Sequence, residues 1–175
     1  TVNNTTRDHI SYQYLSGYDR DNTCGIKNLD WNNLFKQLTA EQFNNVPLEL
    51  KLHVKDLELS DTNVSNFDFS GFTKLKSLKL TNVQGLSLPE NMGEFTSLET
   101  LSLLNNRNLT GLPTSILELP INSEVNIEGC GLSMRVLQNL QEATSAGDYQ
   151  GPSFYFSMDH FNYQTNTSIS ISKSL

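Results

Sequence analysis

Leu98-Glu-Thr-Leu101-Ser-Leu103-Leu104-Asn105-Asn106-Arg107-Asn108-Leu109-Thr110-Gly111-Leu112-Pro113 is the stretch against which the middle of the chain can be aligned. Its inward-type residues stand at positions one, four and six, an Asn stands at nine, and Leu-Pro follows. Three further segments take the same form: Val54-x-x-Leu57-x-Leu59, Leu75-x-x-Leu78-x-Leu80 and Asn122-x-x-Val125-x-Ile127. Successive starts lie 21, 23 and 24 residues apart. The second halves correspond too: Phe69 with Met92 and Ile116, Phe72 with Phe95 and Leu119, and Leu88-Pro89 with Leu112-Pro113. Chance clustering of leucine does not repeat two registers at once.

Periods of 20–29 residues with this spacing define leucine-rich repeats. The expected fold is therefore α/β, a short right-handed leucine-rich-repeat solenoid with a parallel concave sheet and helical N- and C-terminal caps. Each unit makes a short strand with positions one, four and six inward, then returns along the convex side over the Phe, Met and Ile set. A single unit cannot close its own core, so stacking supplies the burial. Position nine reads Thr62, Val83, Asn106 and Cys130. Asn there is expected to bond the backbone of the next coil, Thr and Cys can substitute, and Val cannot, so the ladder should be weak at the second unit. Asn108 to Pro113 should form the most regular turn, with Gly111 and Pro113 supplying the bend.

Open ends of such a stack need covers. Asp30, Trp31, Leu34, Phe35, Leu38 and Phe43 recur at helical spacing, Thr39-Ala40-Glu41-Gln42 reads as a second helix start, and Pro47 should end the helical region. The predicted organisation is a loosely ordered segment over 1–28, a helical cap over 29–47, repeats over 48–132, a cap helix and strand over 133–158, and a flexible tail over 159–175. Leu48, Leu50 and Leu52 suggest an irregular strand before the first full repeat. Ser133 should start an amphipathic helix with Val136, Leu137 and Leu140 inward, ended by Gly147. Phe154-Tyr155-Phe156-Ser157-Met158 alternates and reads as a final strand.

The 175 residues amount to one domain with one core. Twelve Lys and Arg against nineteen Asp and Glu give a formal net charge of −7, and this acidity argues against a nucleic-acid binder. No apolar run approaches membrane-spanning length. The N-terminus shows no secretory signal and lacks Met, which suggests a fragment or processed form. Cys24 and Cys130 offer one possible disulfide but no metal-ligand spacing, and a reducing compartment is the expectation.

Positions between the inward leucines should line the concave face, where proteins of this architecture bind partners. They are Lys55, Asp56, Glu58, Ser60 and Asp61, then Lys76, Ser77, Lys79, Thr81 and Asn82, then Glu99, Thr100, Ser102, Leu104 and Asn105, and finally Ser123, Glu124, Asn126, Glu128 and Gly129. The candidate partner-binding set is Lys55, Asp56, Glu58, Asp61, Lys76, Lys79, Asn82, Glu99, Ser102, Leu104, Glu124 and Asn126. Mixed charge favours a protein partner chosen by electrostatic complementarity, with Leu104 as a candidate apolar anchor. A charged stripe is equally well explained as a solvated face.

Catalytic candidates are few. His9, His53 and His160 are the only histidines, and no HExxH, GxSxG or phosphate-binding loop occurs. Cys130 reads as a buried structural thiol, and Cys24 lies near only Arg20 and Lys27. Catalytic residues, metal ligands and cofactors are not expected, and a monomer is. Glycosylation patterns at Asn3, Asn4, Asn63, Asn108 and Asn166 support a rival reading as a secreted eukaryotic inhibitor-like or receptor-like recognition protein.

The segment Glu128-Gly-Cys130-Gly-Leu132-Ser-Met134-Arg-Val136-Leu-Gln-Asn-Leu140-Gln-Glu142-Ala-Thr144-Ser-Ala-Gly-Asp148-Tyr-Gln-Gly-Pro152-Ser-Phe-Tyr-Phe156-Ser-Met158 is more specific than a generic repeat end. It resembles the end of the leucine-rich-repeat domain of the IpaH/SspH-like bacterial effectors, the novel E3 ubiquitin ligases, as a diverged member. The resemblance implies secretion by a bacterium into the host cell cytoplasm, repeats that select a host protein target, and a separate C-terminal ligase domain that the repeats can also hold inactive. That domain uses a Cys-x-Asp motif. Neither Cys24-Gly-Ile26 nor Cys130-Gly-Leu132 matches it, so this chain is expected to bind rather than catalyse. The alternative is a stand-alone recognition protein without ligase activity.

Overall fold

The computed structural model describes residues 31–156. The segments 1–28 and 159–175, Asp30 as a helix start, and the sites at Cys24, His9 and His160 lie outside the described residues, as does the expected continuation of the last strand through Met158.

The architecture is α/β around a five-stranded sheet, compatible with a repeat solenoid. Three short helices come first: α1 (Trp31–Lys36), α2 (Ala40–Asn44) and α3 (Leu48–Lys51). The strands are β1 (Asp56–Ser60), β2 (Ser77–Thr81), β3 (Thr100–Ser102), β4 (Glu124–Asn126) and β5 (Ser153–Tyr155). They are parallel and stand in sequence order across the sheet. Parallel neighbours require a crossover. Here it is an irregular return, without helix between β1 and β2 and with a 3-10 turn at Met92–Glu94 or Thr114–Glu118 in the next two, and finally the longer helix α4 (Met134–Ser145).

Register sets the core. Leu57, Leu78, Leu101, Val125 and Phe154 pair laterally in one buried column, and Leu59 pairs with Leu80 beside it. Because strand side chains alternate faces, the intervening residues point outward. Opposite the sheet, Phe69, Met92 and Ile116 are buried, and so are Phe72, Phe95 and Leu119. Both corresponding sets therefore meet in one core. Each such side chain contributes about 1.5–3 kcal/mol through loss of apolar surface to water.

The N-terminal end is closed by aromatic packing. Phe43 of α2 stacks on Phe67 at 4.4 Å between ring centroids and meets Phe35, Phe69 and Phe72 at 5.4–5.5 Å. The Thr39 start is a reciprocal cap: the Gln42 N–H donates to Thr39 Oγ1, and the Thr39 N–H donates to Gln42 Oε1. Asn32 Oδ1 accepts the outward Glu58 N–H at 2.6 Å, satisfying a donor on the edge strand β1.

Several expectations are corrected. The N-terminal helical region continues past 47, and residues 48–51 are helix rather than irregular strand. Pro47 interrupts one helix and starts the next: it precedes α3 at φ −59°, the value its ring imposes, and its carbonyl accepts the N–H groups of Leu50 and Lys51. Leu50 is buried there, while Leu48 stands 59% exposed. In the fourth unit Asn122 is exposed, and Ser123, expected outside, is 1% exposed with its hydroxyl donating to Leu98 O. The turn formed when the Ser123 N–H donates to Pro120 O shifts the strand entry by one residue. Gly147 does not end α4, which stops at Ser145 where Ala146 turns extended. Thr144 Oγ1 satisfies the carbonyls of Leu140 and Gln141 near that end. Gly111 keeps an ordinary backbone with open space around it, so the bend there rests on Pro113.

Truncating Phe43 to Ala should remove about 3–5 kcal/mol of stability, the range for large buried aromatics. Urea unfolding followed by fluorescence would show it; a loss below about 1 kcal/mol would mean that the aromatic cluster does not hold the end of the stack.

Candidate functional site

The open face of the sheet is assembled from two rows of lateral neighbours. One runs Asp56, Ser77, Thr100, Glu124 and Ser153; the other runs Glu58, Lys79, Ser102, Asn126 and Tyr155. Lys55, Lys76 and Glu99 stand where the chain enters β1, β2 and β3, linked because the Lys76 N–H donates to Lys55 O and the Glu99 N–H to Lys76 O. Lys55, Asp56, Glu58, Lys76, Lys79, Glu99 and Glu124 are all exposed. The sheet brings these seven onto one surface although they span 70 positions of sequence.

Other members of the expected set have local roles. Asp61 and Asn82 follow β1 and β2 with φ of 52° and 48°, and Asn105 and Gly129 follow β3 and β4 at 62° and 75°. This left-handed column turns the chain out of each strand, and Asp, Asn and Gly are the residues that tolerate it. Asn82 Nδ2 donates to Asp61 Oδ1 at 2.7 Å, tying two turns together. A Cβ at Gly129 would lie 2.3 Å from Asn105 Oδ1, so glycine is required there. Asn126 Oδ1 accepts the Glu128 N–H at 2.9 Å, and Ser102 and Asn126 are half-buried. Leu104 is half-buried too. The large apolar side chains exposed among the described residues are Leu48 and Ile121.

Beneath the face, position nine runs opposite to the expected direction. Asn106 Oδ1 accepts the Val83 N–H at 2.9 Å, and its Nδ2 donates to Leu80 O at 2.7 Å and Leu103 O at 2.9 Å. It therefore serves its own and the preceding unit rather than the next. Val83 cannot repeat this bonding, but it is buried, and its backbone is satisfied from the neighbouring Asn106. Cys130 Sγ donates to Leu103 O at 3.1 Å, taking one of the amide's roles one unit later. Burial pushes the Cys130 thiol up to about 11, so it remains a neutral donor at physiological pH.

Tyr155 is a face residue that the repeat pattern did not reveal. The 29-position separation of the paired Glu124 and Ser153 takes in α4 and breaks the period. The available signal was alternation: Phe154 and Phe156 are buried, so Tyr155 must point the other way. Its position is set by the turn before β5. Tyr149 Oη donates to Pro152 O, and Gly151 lies so close to Leu117 O, 2.4 Å from a built Cβ, that only glycine fits. Tyr155 Oη reaches Glu124 Oε1 at 3.5 Å, and desolvation, then the Glu124 charge, raises the phenol above its ordinary range.

Among the described residues no group of three His, Cys, Asp or Glu converges on a metal-sized site, and no helix is long and apolar enough to cross a membrane. The face offers charge and hydrogen-bonding groups for recognition.

Over part of its length the chain is related to E3 ubiquitin-protein ligases of the IpaH kind. It is 58% identical over 50 residues to the probable E3 ubiquitin-protein ligase ipaH4.5 of Shigella flexneri, and 52% identical over 50 residues to the E3 ubiquitin-protein ligase ipaH7.8 of the same organism. Each match covers 29% of this chain and 9% of the relative, so the chain aligns with under a tenth of either curated protein. No family model matches.

Two outcomes test the layer under the face. Replacing Asn106 by Leu leaves the Val83 N–H and Leu80 O without their buried partner, while Leu103 O keeps Cys130 Sγ, and should destabilise the protein by about 2–4 kcal/mol in urea titration; an unchanged midpoint would show that Asn106 is dispensable. In a Cys24→Ser background, Cys130 should resist a thiol reagent at pH 8 until the chain unfolds. Its folded pKa lies above the unfolded value of 9.0, so the associated stability is present below pH 9 and lost as pH rises toward 11.

Proposed function

We propose that this chain is a short leucine-rich-repeat solenoid that binds a host protein, and that it serves as the target-recognition part of an IpaH/SspH-type E3 ubiquitin ligase effector secreted by a bacterium into the host cytoplasm. In this reading residues 29–47 cover the N-terminal end, 48–132 carry the repeats, 133–158 cover the C-terminal end, and the chain itself is monomeric and does not catalyse. One observation carries the binding role: Lys55, Asp56, Glu58, Lys76, Lys79, Glu99 and Glu124 are exposed together on the open face of a parallel sheet. A partner meeting that face would be selected by charge. The ligase connection rests on the two 50-residue similarities. A ligase domain of the same polypeptide is a second partner for the repeats.

A second reading is a stand-alone recognition protein of the same architecture without ligase activity. The two readings share the binding face and differ in what the parent polypeptide does with a captured target.

The variant Lys76→Ala/Lys79→Ala/Glu99→Ala tests the face. Photocrosslinking from the sheet in host-cell extract should lose its specific adduct, while the thermal midpoint moves by less than about 3 °C because all three side chains are exposed. Adducts formed equally by the variant would overturn the assignment of this face.

A further inference from the structure

The charges of the open face are banded along the stack. On β1 stand Asp56 and Glu58 with Lys55 at its entry, on β2 Lys79 with Lys76 at its entry, on β3 the uncharged Thr100 and Ser102 with Glu99 at its entry, on β4 Glu124, and on β5 Tyr155. Among the described residues Asp56, Glu58, Lys76, Lys79 and Glu99 form no side-chain ion pair within 4.0 Å. Their charge is therefore available to a partner. Glu124 receives only the long contact from Tyr155.

Neighbouring strands lie about 4.8 Å apart. An α-helix rises about 1.5 Å per residue, so a helix laid across the strands passes one strand roughly every three to four residues. The positions i, i+3, i+7, i+10 and i+14 then fall over β1 to β5, and these are also positions that share one helix face. An extended peptide advances about 6.6 Å between residues on one side and loses step with the strands at once. The short side chains on β3 leave room for a large residue above them.

We propose that this face takes a single amphipathic α-helix of a protein partner, laid across the strands, with a basic residue over Asp56 and Glu58, an acidic residue over Lys79, a large apolar residue over Thr100 and Ser102, and a second basic residue over Glu124. The helix ends with an apolar or cationic residue on the Tyr155 ring. This rests on the reading that the open face binds protein and adds the conformation and charge order of what binds.

Two peptides of about 17 residues, the length that spans five strands, provide the probe. Both are stapled on the far side to hold the helix. The matched peptide carries Arg, Glu, Leu and Arg at i, i+3, i+7 and i+10; the swapped peptide carries Glu, Arg, Leu and Glu, with far-side residues equalising net charge. Fluorescence anisotropy with the full chain should show the matched peptide binding at least about tenfold more tightly, and the preference falling as salt rises. In the Lys79→Glu/Glu124→Lys variant the preference should invert. A neutral variant, Lys79→Ser/Glu124→Gln, should keep the thermal midpoint and lose the preference. No preference in the native chain, no inversion in the folded variant, or equal binding of an unstapled, proline-broken matched peptide each overturns the proposal. If those results come with target adducts lost in Lys76→Ala/Lys79→Ala/Glu99→Ala, the helix is wrong and the binding face stands. If the adducts persist, both fail.

Discussion

The lateral column Leu57, Leu78, Leu101, Val125 and Phe154 is the constraint on which everything else depends. Strand side chains have a period of two, so a slip of one residue would turn a buried apolar side chain to solvent and bring an outward polar one into the core, a Lys or Glu at β1, β2 and β4. Desolvating an unpaired charge is far more unfavourable than any rearrangement of the returns. Holding this column in register therefore positions the outward rows as well, and the charged face is a consequence of the buried one.

The ends and the turns resolve what the column leaves open. A parallel sheet has two exposed edges, and at β1 the helices cover one with the Phe43 cluster and the Asn32 hydrogen bond. At the other side α4 replaces an irregular return, and Leu137, Leu140 and Thr144 are buried on its inner side. Between units the left-handed residues Asp61, Asn82, Asn105 and Gly129 reverse the chain after each strand. Asn106 and Cys130 satisfy carbonyls that the reversals would leave buried and unpaired. The Cys130 thiol meets Leu103 O, a carbonyl that Asn106 bonds as well.

The face that results carries exposed charge, the property on which the proposed binding rests. Its charges are exposed and change sign from β1 to β2 and again from β2 to β4. The hydroxyls and amides among them are drawn into turns, as with Asn82 and Asn126, and this stiffens the surface on which the charges stand.

Much of this could be read from the sequence because the repeat is encoded locally. Leu at positions one, four and six and units of 21–24 residues determine strands, their parallel order and the outward set, and the Thr39–Gln42 cap is complete within four residues. What only the tertiary structure decided involves partners distant in sequence. Ser123 is buried because Leu98 O awaits its hydroxyl, 25 residues away. Leu104 is half-buried, and Asn106 serves the unit before it rather than the one after. Residues 48–51 become helix where alternation suggested strand, because Pro47 presets the backbone and Leu50 finds a buried site. Tyr155 joins the face only because α4 spans a longer return and still delivers β5 beside β4. A local pattern specifies which way a side chain points relative to its own strand; which polar atom or cavity it meets is settled when the strands stack.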